Sequence, residues 1–158
     1  MTRKILIPLD GSEIGEAALR YVEEMVSVWE ISGKVEITLI HILVPPIQRI
    51  AIDSGYGVET FLTVEEIELI KRKALAYLEK SSGKLRNRGV NVNCKVVVGD
   101  INNSSAEEII KAEDELNIDL VAMSTHGRRG ISRWAFGSVT EKILRRGNVP
   151  VLVVRAKK

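Results

Sequence analysis

Four glycines, a set of arginines and several hydroxyl side chains fall together in STHGRRGISRWAFGSVTEKILRRG, residues 124–147. Gly127 and Gly130 permit positive φ and let the backbone come close to a ligand. Gly137 stands directly before Ser138, and the S-V-T-E run Ser138–Glu141 predicts a capping box that starts a helix at Ser138. Beyond it the amides of Val139 and Thr140 lie free at a helix N-terminus, where unpaired N–H groups and the helix dipole favour an anion. The hydroxyls of Ser138 and Thr140 add donors, and Arg128 and Arg129 add charge. This chemistry suits a phosphorylated ligand, although such a box sets up a conflict. A capping Ser138 cannot give its best geometry to phosphate, and a folded-back Glu141 brings negative charge close to it. The same residues also suit a tightly turned basic surface connection, since Arg128, Arg129, Arg133, Lys142, Arg145 and Arg146 face a single acid, Glu141. The spacing is neither the P-loop G-x-x-x-x-G-K-[ST] nor a dinucleotide G-x-G-x-x-G.

A second unusual segment, PLDGS, follows the first apolar run. Asp10 there reads by itself as a turn residue, and becomes a ligand candidate only beside the Gly127 pattern. Ser12 reads as a helix N-cap. His126 has no carboxylate or nucleophile placed with it and reads as a loop histidine. His41, inside an apolar run, reads as a satisfied core residue, and Trp134 and Phe136 as loop packing.

These residues are positioned by a regular alternation. Strands are predicted over 3–9, 35–44, 90–99, 119–123 and 151–154, with helices between them. The first helix, capped by Ser12, shows an apolar face of Ala17, Ala18, Tyr21, Val22, Met25 and Val28. Residues 45–62, with Pro45-Pro46 and Gly55 and Gly57, predict a loop or short helix. Thr63 and Glu66 form a capping box opening a long helix over 64–87, which Gly89 ends. Ser105 and Glu108 form another, opening a helix through Leu116, and the helix after Ser138 ends at Gly147. Strands alternating with helices of these lengths imply an α/β fold with a mostly parallel sheet covered on both faces. In such sheets ligands bind beyond the carboxyl ends of the strands where the chain order reverses. PLDGS and STHGRRG would border one crevice if strands one and four are neighbours.

The bulk numbers set limits. With 158 residues, 45% hydrophobic and 28% charged, the chain suits one domain spanning 1–158. No apolar run approaches the roughly 20 residues of a membrane span. A net charge of +2 argues against nucleic acid as partner. The single cysteine, Cys94, excludes an internal disulfide and a Cys-based metal cluster, and reads as a strand-face thiol. A cytoplasmic location is expected.

Taken together, ILIPLDGSE, LIHIL, VVVGD and DLVAMSTHGRRG…FGSVTEKILRRGNVPVLVV resemble the UspA-type universal stress protein family over nearly the whole chain. The resemblance implies a Rossmann-like three-layer sheet of five strands in the order 3-2-1-4-5, which makes strands one and four neighbours. It implies a homodimer through the last strand, Val149–Val154. Members that bind ATP resemble the pattern G-x2-G-x9-G-[ST]. Here Gly127, Gly137 and Ser138 match it, while Ser124 stands where the first glycine belongs; its side chain either crowds the ligand or adds a hydroxyl donor.

Carried over residue by residue, the resemblance places Pro8 and Leu9 against adenine. Asp10 would bind ribose, or hold Mg2+ or Mn2+ through water. The Ile42 backbone would meet the base edge and Met123 would line the base pocket. Ser124, Thr125, Gly127 and Arg128 would wrap ribose and phosphates, and Gly137, Ser138, Val139 and Thr140 would hold the phosphate tail. Arg129 is a secondary candidate. The function implied is ATP-dependent regulation with at most slow or partner-stimulated hydrolysis. The alternatives are a dimeric interaction module without nucleotide, and a nucleotidyl- or phosphoryl-transfer enzyme for which residues 45–62 could serve as a lid.

Overall fold

The computed structural model describes residues 2–28, 34–44, 62–100, 103–125 and 137–156, and the backbone of 48–51 and 57–60. In chain order the elements are β1 (Arg3–Pro8), α1 (Glu16–Val28), β2 (Val35–Leu43), β3 (Gln48–Ala51), β4 (Gly57–Thr60), α2 (Val64–Asn87), β5 (Asn91–Val98), α3 (Ser105–Glu115), β6 (Leu120–Thr125), α4 (Ser138–Arg146) and β7 (Val151–Arg155). Five strands form one parallel sheet in the order β5-β2-β1-β6-β7. Counted among themselves, these strands run 3-2-1-4-5, the expected order. Successive strands are added to one side of β1 as far as β5 and then to its other side from β6, so the ends of β1 and β6 bound the crevice.

The apolar run Ile5–Ile7 of β1 and the apolar residues Ile37, Leu39 and Ile40 of β2 are explained by burial on both faces of the sheet. Ile5, Ile7, Ile37 and Leu39 point into one core with Leu19 and Val22 of α1 and Leu78 and Leu85 of α2. Leu6, Ile40, Val121 and Met123 point into the other, with Ile109 of α3 and Ile143 of α4. Alternation along each strand thus serves two cores.

Four local expectations are corrected. Residues 45–62 hold neither a short helix nor only loop: β3 and β4 pair antiparallel, Gln48 opposite Thr60 and Ala51 opposite Gly57. Ile50, Val58 and Thr60 are β-branched and favour strand. Next, α1 begins at Glu16 after a turn that Ser12 opens as expected, its hydroxyl accepting the Gly15 amide at 3.0 Å and its carbonyl the Glu16 amide at 3.2 Å, but the buried face is Ala18, Leu19, Val22 and Val26. Tyr21 and Val28 of the expected face are 44% and 68% exposed. Third, the α3 box is Ser104–Glu107, not Ser105–Glu108. Two overlapping S-x-x-E windows compete there, and Glu108 is drawn inward, accepting from Asn103 Nδ2 at 3.0 Å. Fourth, α4 is capped by Gly137 with no side-chain cap, not by Ser138. The Thr63–Glu66 box holds as expected.

One buried charge lies between α3 and the end of α4. Glu113 is 1% exposed. Its Oε2 accepts the Asn148 amide at 2.8 Å, while Oε1 has no partner. Burial pushes this carboxyl above its usual value of 4.5, the Asn148 amide pulls it down, and nearby Asp114 adds to the rise. The folded state therefore holds the Glu113 proton more tightly than the unfolded chain does. Its contribution to stability is present below pH 4.5 and is lost as pH rises through the folded pKa. Glu113→Gln should flatten the decline in unfolding free energy between pH 4.5 and neutrality, measured by urea titration; parallel pH profiles for the two proteins would contradict this.

Candidate functional site

At the carboxyl ends of β1 and β6 lies a cavity of about 370 Å³. Its wall begins where β1 ends. The Leu9 amide donates to the Ile40 carbonyl at 2.9 Å, extending the parallel ladder one residue past β1. The chain then leaves the sheet at Asp10, whose Oδ1 accepts both the Ser12 amide at 2.9 Å and the Ser12 hydroxyl at 2.6 Å. Gly11 turns at φ +84°, a conformation that costs a side chain but not glycine. Gly15 packs so close that a Cβ there would lie 2.5 Å from Asp10 Oδ1. Burial raises the Asp10 carboxyl, but the Ser12 hydrogen bonds and nearby His41 outweigh it and hold the group below 3.8. Asp10 is thus an anion fixed at the cavity rim.

The far wall is β6 and α4. Met123 and Thr125 reach the cavity from β6. Thr125 is 7% exposed, and its Oγ1 is buried with no partner among the described residues. Such an orphaned hydroxyl beside a cavity is a group a ligand can satisfy. Ser138, Val139 and Thr140 line the same space from the first turn of α4. With glycine as N-cap and, among the described residues, no side chain capping it, that turn presents amides that have no acceptor within the helix. Glu141 pairs instead with Arg145 at 2.9 Å, so the conflict anticipated at Ser138 does not arise.

Ser124, the departure from the pattern, has a specific job. Its hydroxyl accepts the Ala18 amide at 2.8 Å and donates to the Gly15 carbonyl at 2.9 Å. Ala18 is the third residue of α1 and lacks an intrahelical acceptor. Ser124 therefore caps α1 from across the fold, and its one proton is spent on Gly15 rather than offered to a ligand. Ser124→Ala should cost about 1 kcal/mol of stability, read as a lower urea midpoint at unchanged slope; an unmoved midpoint would refute the cap.

All the candidates named from the sequence except Gly127, Arg128 and Arg129 line this cavity; those three, with His126, Trp134 and Phe136, lie outside the described residues. Sequence reasoning missed Gly15, Ile40, Ser105 and Ile109. Ile40 was within reach, two residues before Ile42 and so on the same strand face. Ser105 and Ile109 enter because α3 lies on the same sheet face as α4, which only the crossover geometry decides. His41 is half-buried, not a satisfied core residue: its Nδ1 is buried without a partner. Cys94 is a free, half-buried thiol, as expected.

The sequence matches the Universal stress protein family over residues 1–155. The chain belongs to the universal stress protein family. Among curated relatives, universal stress protein MJ0577 of Methanocaldococcus jannaschii is 32% identical, covering 99% of this chain and 97% of that one. YxiE of Bacillus subtilis is 25% identical over 98% of this chain and 100% of its own. A solved structure of MJ0577 superimposes with a TM-score of 0.69 at 26% identity, covering 100% and 99%. Two other universal stress proteins share the fold at lower identity. One, in complex with cAMP, gives a TM-score of 0.66 at 16% identity, covering 98% of both chains. The other, from Arabidopsis thaliana with AMP bound, gives 0.62 at 17%, covering 98% and 92%. As a universal stress protein, this chain keeps the family fold while carrying serine at position 124.

Proposed function

We propose that this universal stress protein binds an adenine nucleotide, ATP in particular, in the cavity at the ends of β1 and β6, and signals by nucleotide state. The observation that carries the reading is the side-chain-free N-terminus of α4 opening on a cavity whose other walls, Pro8, Leu9, Ile40, Ile42, Ile109 and Met123, are apolar. An apolar slot at one side suits a purine, and uncapped amides at the other suit phosphate. The orphaned Thr125 hydroxyl fits a ribose or phosphate oxygen. The family structures with cAMP and AMP support the same ligand class.

A divalent ion would come with the nucleotide. Among the described residues no cluster of three acidic, histidine or cysteine side chains could hold a metal alone. Mg2+ is commonly held by one or two carboxylates together with substrate phosphates, and Asp10 at the rim fits that role, directly or through water. The ion would neutralise phosphate charge.

Regulation is favoured over catalysis by Asp10 itself. It is the one titratable side chain among the described cavity-lining residues, and its lowered pKa makes it a weak base. Slow hydrolysis, spontaneous or stimulated by a protein partner, is compatible with this. A homodimer would form by pairing β7 edge to edge: β7 bonds β6 on one side, and its apolar residues Val151–Val154 are only half-buried. A cytoplasmic setting belongs to the same reading; among the described residues no helix is long and apolar enough to cross a membrane.

Calorimetric titration with ATP, ADP and AMP in magnesium tests the reading. Binding that strengthens with phosphate number is expected. No heat at millimolar ATP would favour the interaction module, and steady ADP formation would favour the enzyme.

A further inference from the structure

Two helix N-termini, those of α3 and α4, meet at the cavity, and they are finished differently. The α3 end is sealed by its capping box: Glu107 Oε2 accepts the Ser104 amide at 2.8 Å, and the Ser104 hydroxyl takes the Glu107 amide at 3.4 Å. The α4 end carries no side-chain cap. Ser105 from the first and Ser138, Val139 and Thr140 from the second line the same space. The seal places a carboxylate two residues after Ser105, which lines the cavity. A like charge there opposes a polyanion.

The two ends are tied by one side chain. Lys142, one turn after Ser138 on α4, donates to Glu107 Oε1 at 2.7 Å and to the Ser104 hydroxyl at 3.0 Å. Arg146, the next turn along, stands 3.9 Å from the same Glu107 oxygen. The Lys142 bond, with the Ser104 amide, holds the Glu107 carboxyl down to about 2. The Glu107 carboxyl is therefore an anion at neutral pH.

Resting on the nucleotide reading, we propose that Lys142 is a positioning residue for the phosphate-binding end of the cavity: by clamping α4 to the Ser104–Glu107 cap of α3 and cancelling the Glu107 charge, it sets the uncapped amides of Ser138–Thr140 in place and makes their surroundings acceptable to a polyphosphate. Lys142 does not line the cavity and acts through α4 and Glu107. Its effect therefore falls on the phosphates and not on the nucleoside.

The test is a comparison of ATP and adenosine affinities, by calorimetry with adenosine read by competition, for wild type, Lys142→Ala and Lys142→Arg. Lys142→Ala should weaken ATP roughly tenfold, the scale of one charge-assisted hydrogen bond, and leave adenosine unchanged. Lys142→Arg, which keeps the charge and reach, should restore ATP binding. Equal ATP affinity in wild type and Lys142→Ala overturns the proposal, as does parallel weakening of ATP and adenosine, or failure of arginine to rescue. Wild-type protein that binds neither ligand removes the nucleotide reading, and this inference with it.

Discussion

Gly137→Asp should separate folding from ligand binding, stabilising the protein slightly while abolishing nucleotide affinity. Gly137 is the N-cap of α4 at φ −60° and ψ 154°, a conformation open to any residue. Among the described residues a Cβ added there meets nothing within 4 Å, so none of them has to move for aspartate. Its carboxylate would accept the free amides of the first turn, as capping residues do, with a gain of a few tenths of a kcal/mol over glycine. The same carboxylate would then occupy the donors that phosphate needs and place a negative charge among them. ATP affinity should fall by roughly a hundredfold or more, about two charge-assisted hydrogen bonds. Thermal unfolding and calorimetry on one sample read both signs. Undiminished ATP binding in a folded Gly137→Asp variant would show that phosphate does not sit at α4.

Ile143→Ala should produce the largest loss of stability tied to the site. Ile143 is fully buried, the large apolar residue through which α4 joins the core under β6. Only Thr140 and Ile143 are buried on this nine-residue helix. Truncating a fully buried isoleucine costs about 2–5 kcal/mol, from lost transfer energy and the cavity left behind. Because α4 has no other large buried anchor, the loss should appear locally too, as faster amide hydrogen exchange along α4 than along β1 or β2. A urea midpoint within error of wild type would mean that α4 is not fastened to the core as described.

The alternation of apolar runs with capped helices specified the layers, because Leu6, Ile7, Ile37 and Ile40 must be apolar on both faces of a covered parallel sheet. Neighbouring β1 and β6 came from the resemblance, and that pairing is what brings Asp10 and the Met123–Thr125 end of β6 to one cavity. Local rules failed where two solutions differ by one residue. Ser104 and Ser105 both begin an S-x-x-E window, and the bond of Lys142 to Glu107, thirty-five residues apart in sequence, accompanies one choice. At α4 the choice fell on Gly137 rather than Ser138. The role of Ser124 could not be read locally at all: its partners, Gly15 and Ala18, are more than a hundred residues away. The face of α1 was placed one residue off: Ala18 and Val22 are buried as expected, but Leu19 and Val26 complete the face in place of the exposed Tyr21 and Val28.

The most direct test is a two-dimensional amide NMR titration of the uniformly labelled 17.6 kDa protein with ATP and magnesium. The account predicts saturable shifts that are largest at the backbone amides of Ser138, Val139 and Thr140, with weaker ones at Met123 and Asp10. Unmoved α4 amides at millimolar ATP, or saturable shifts confined to another surface, would contradict it.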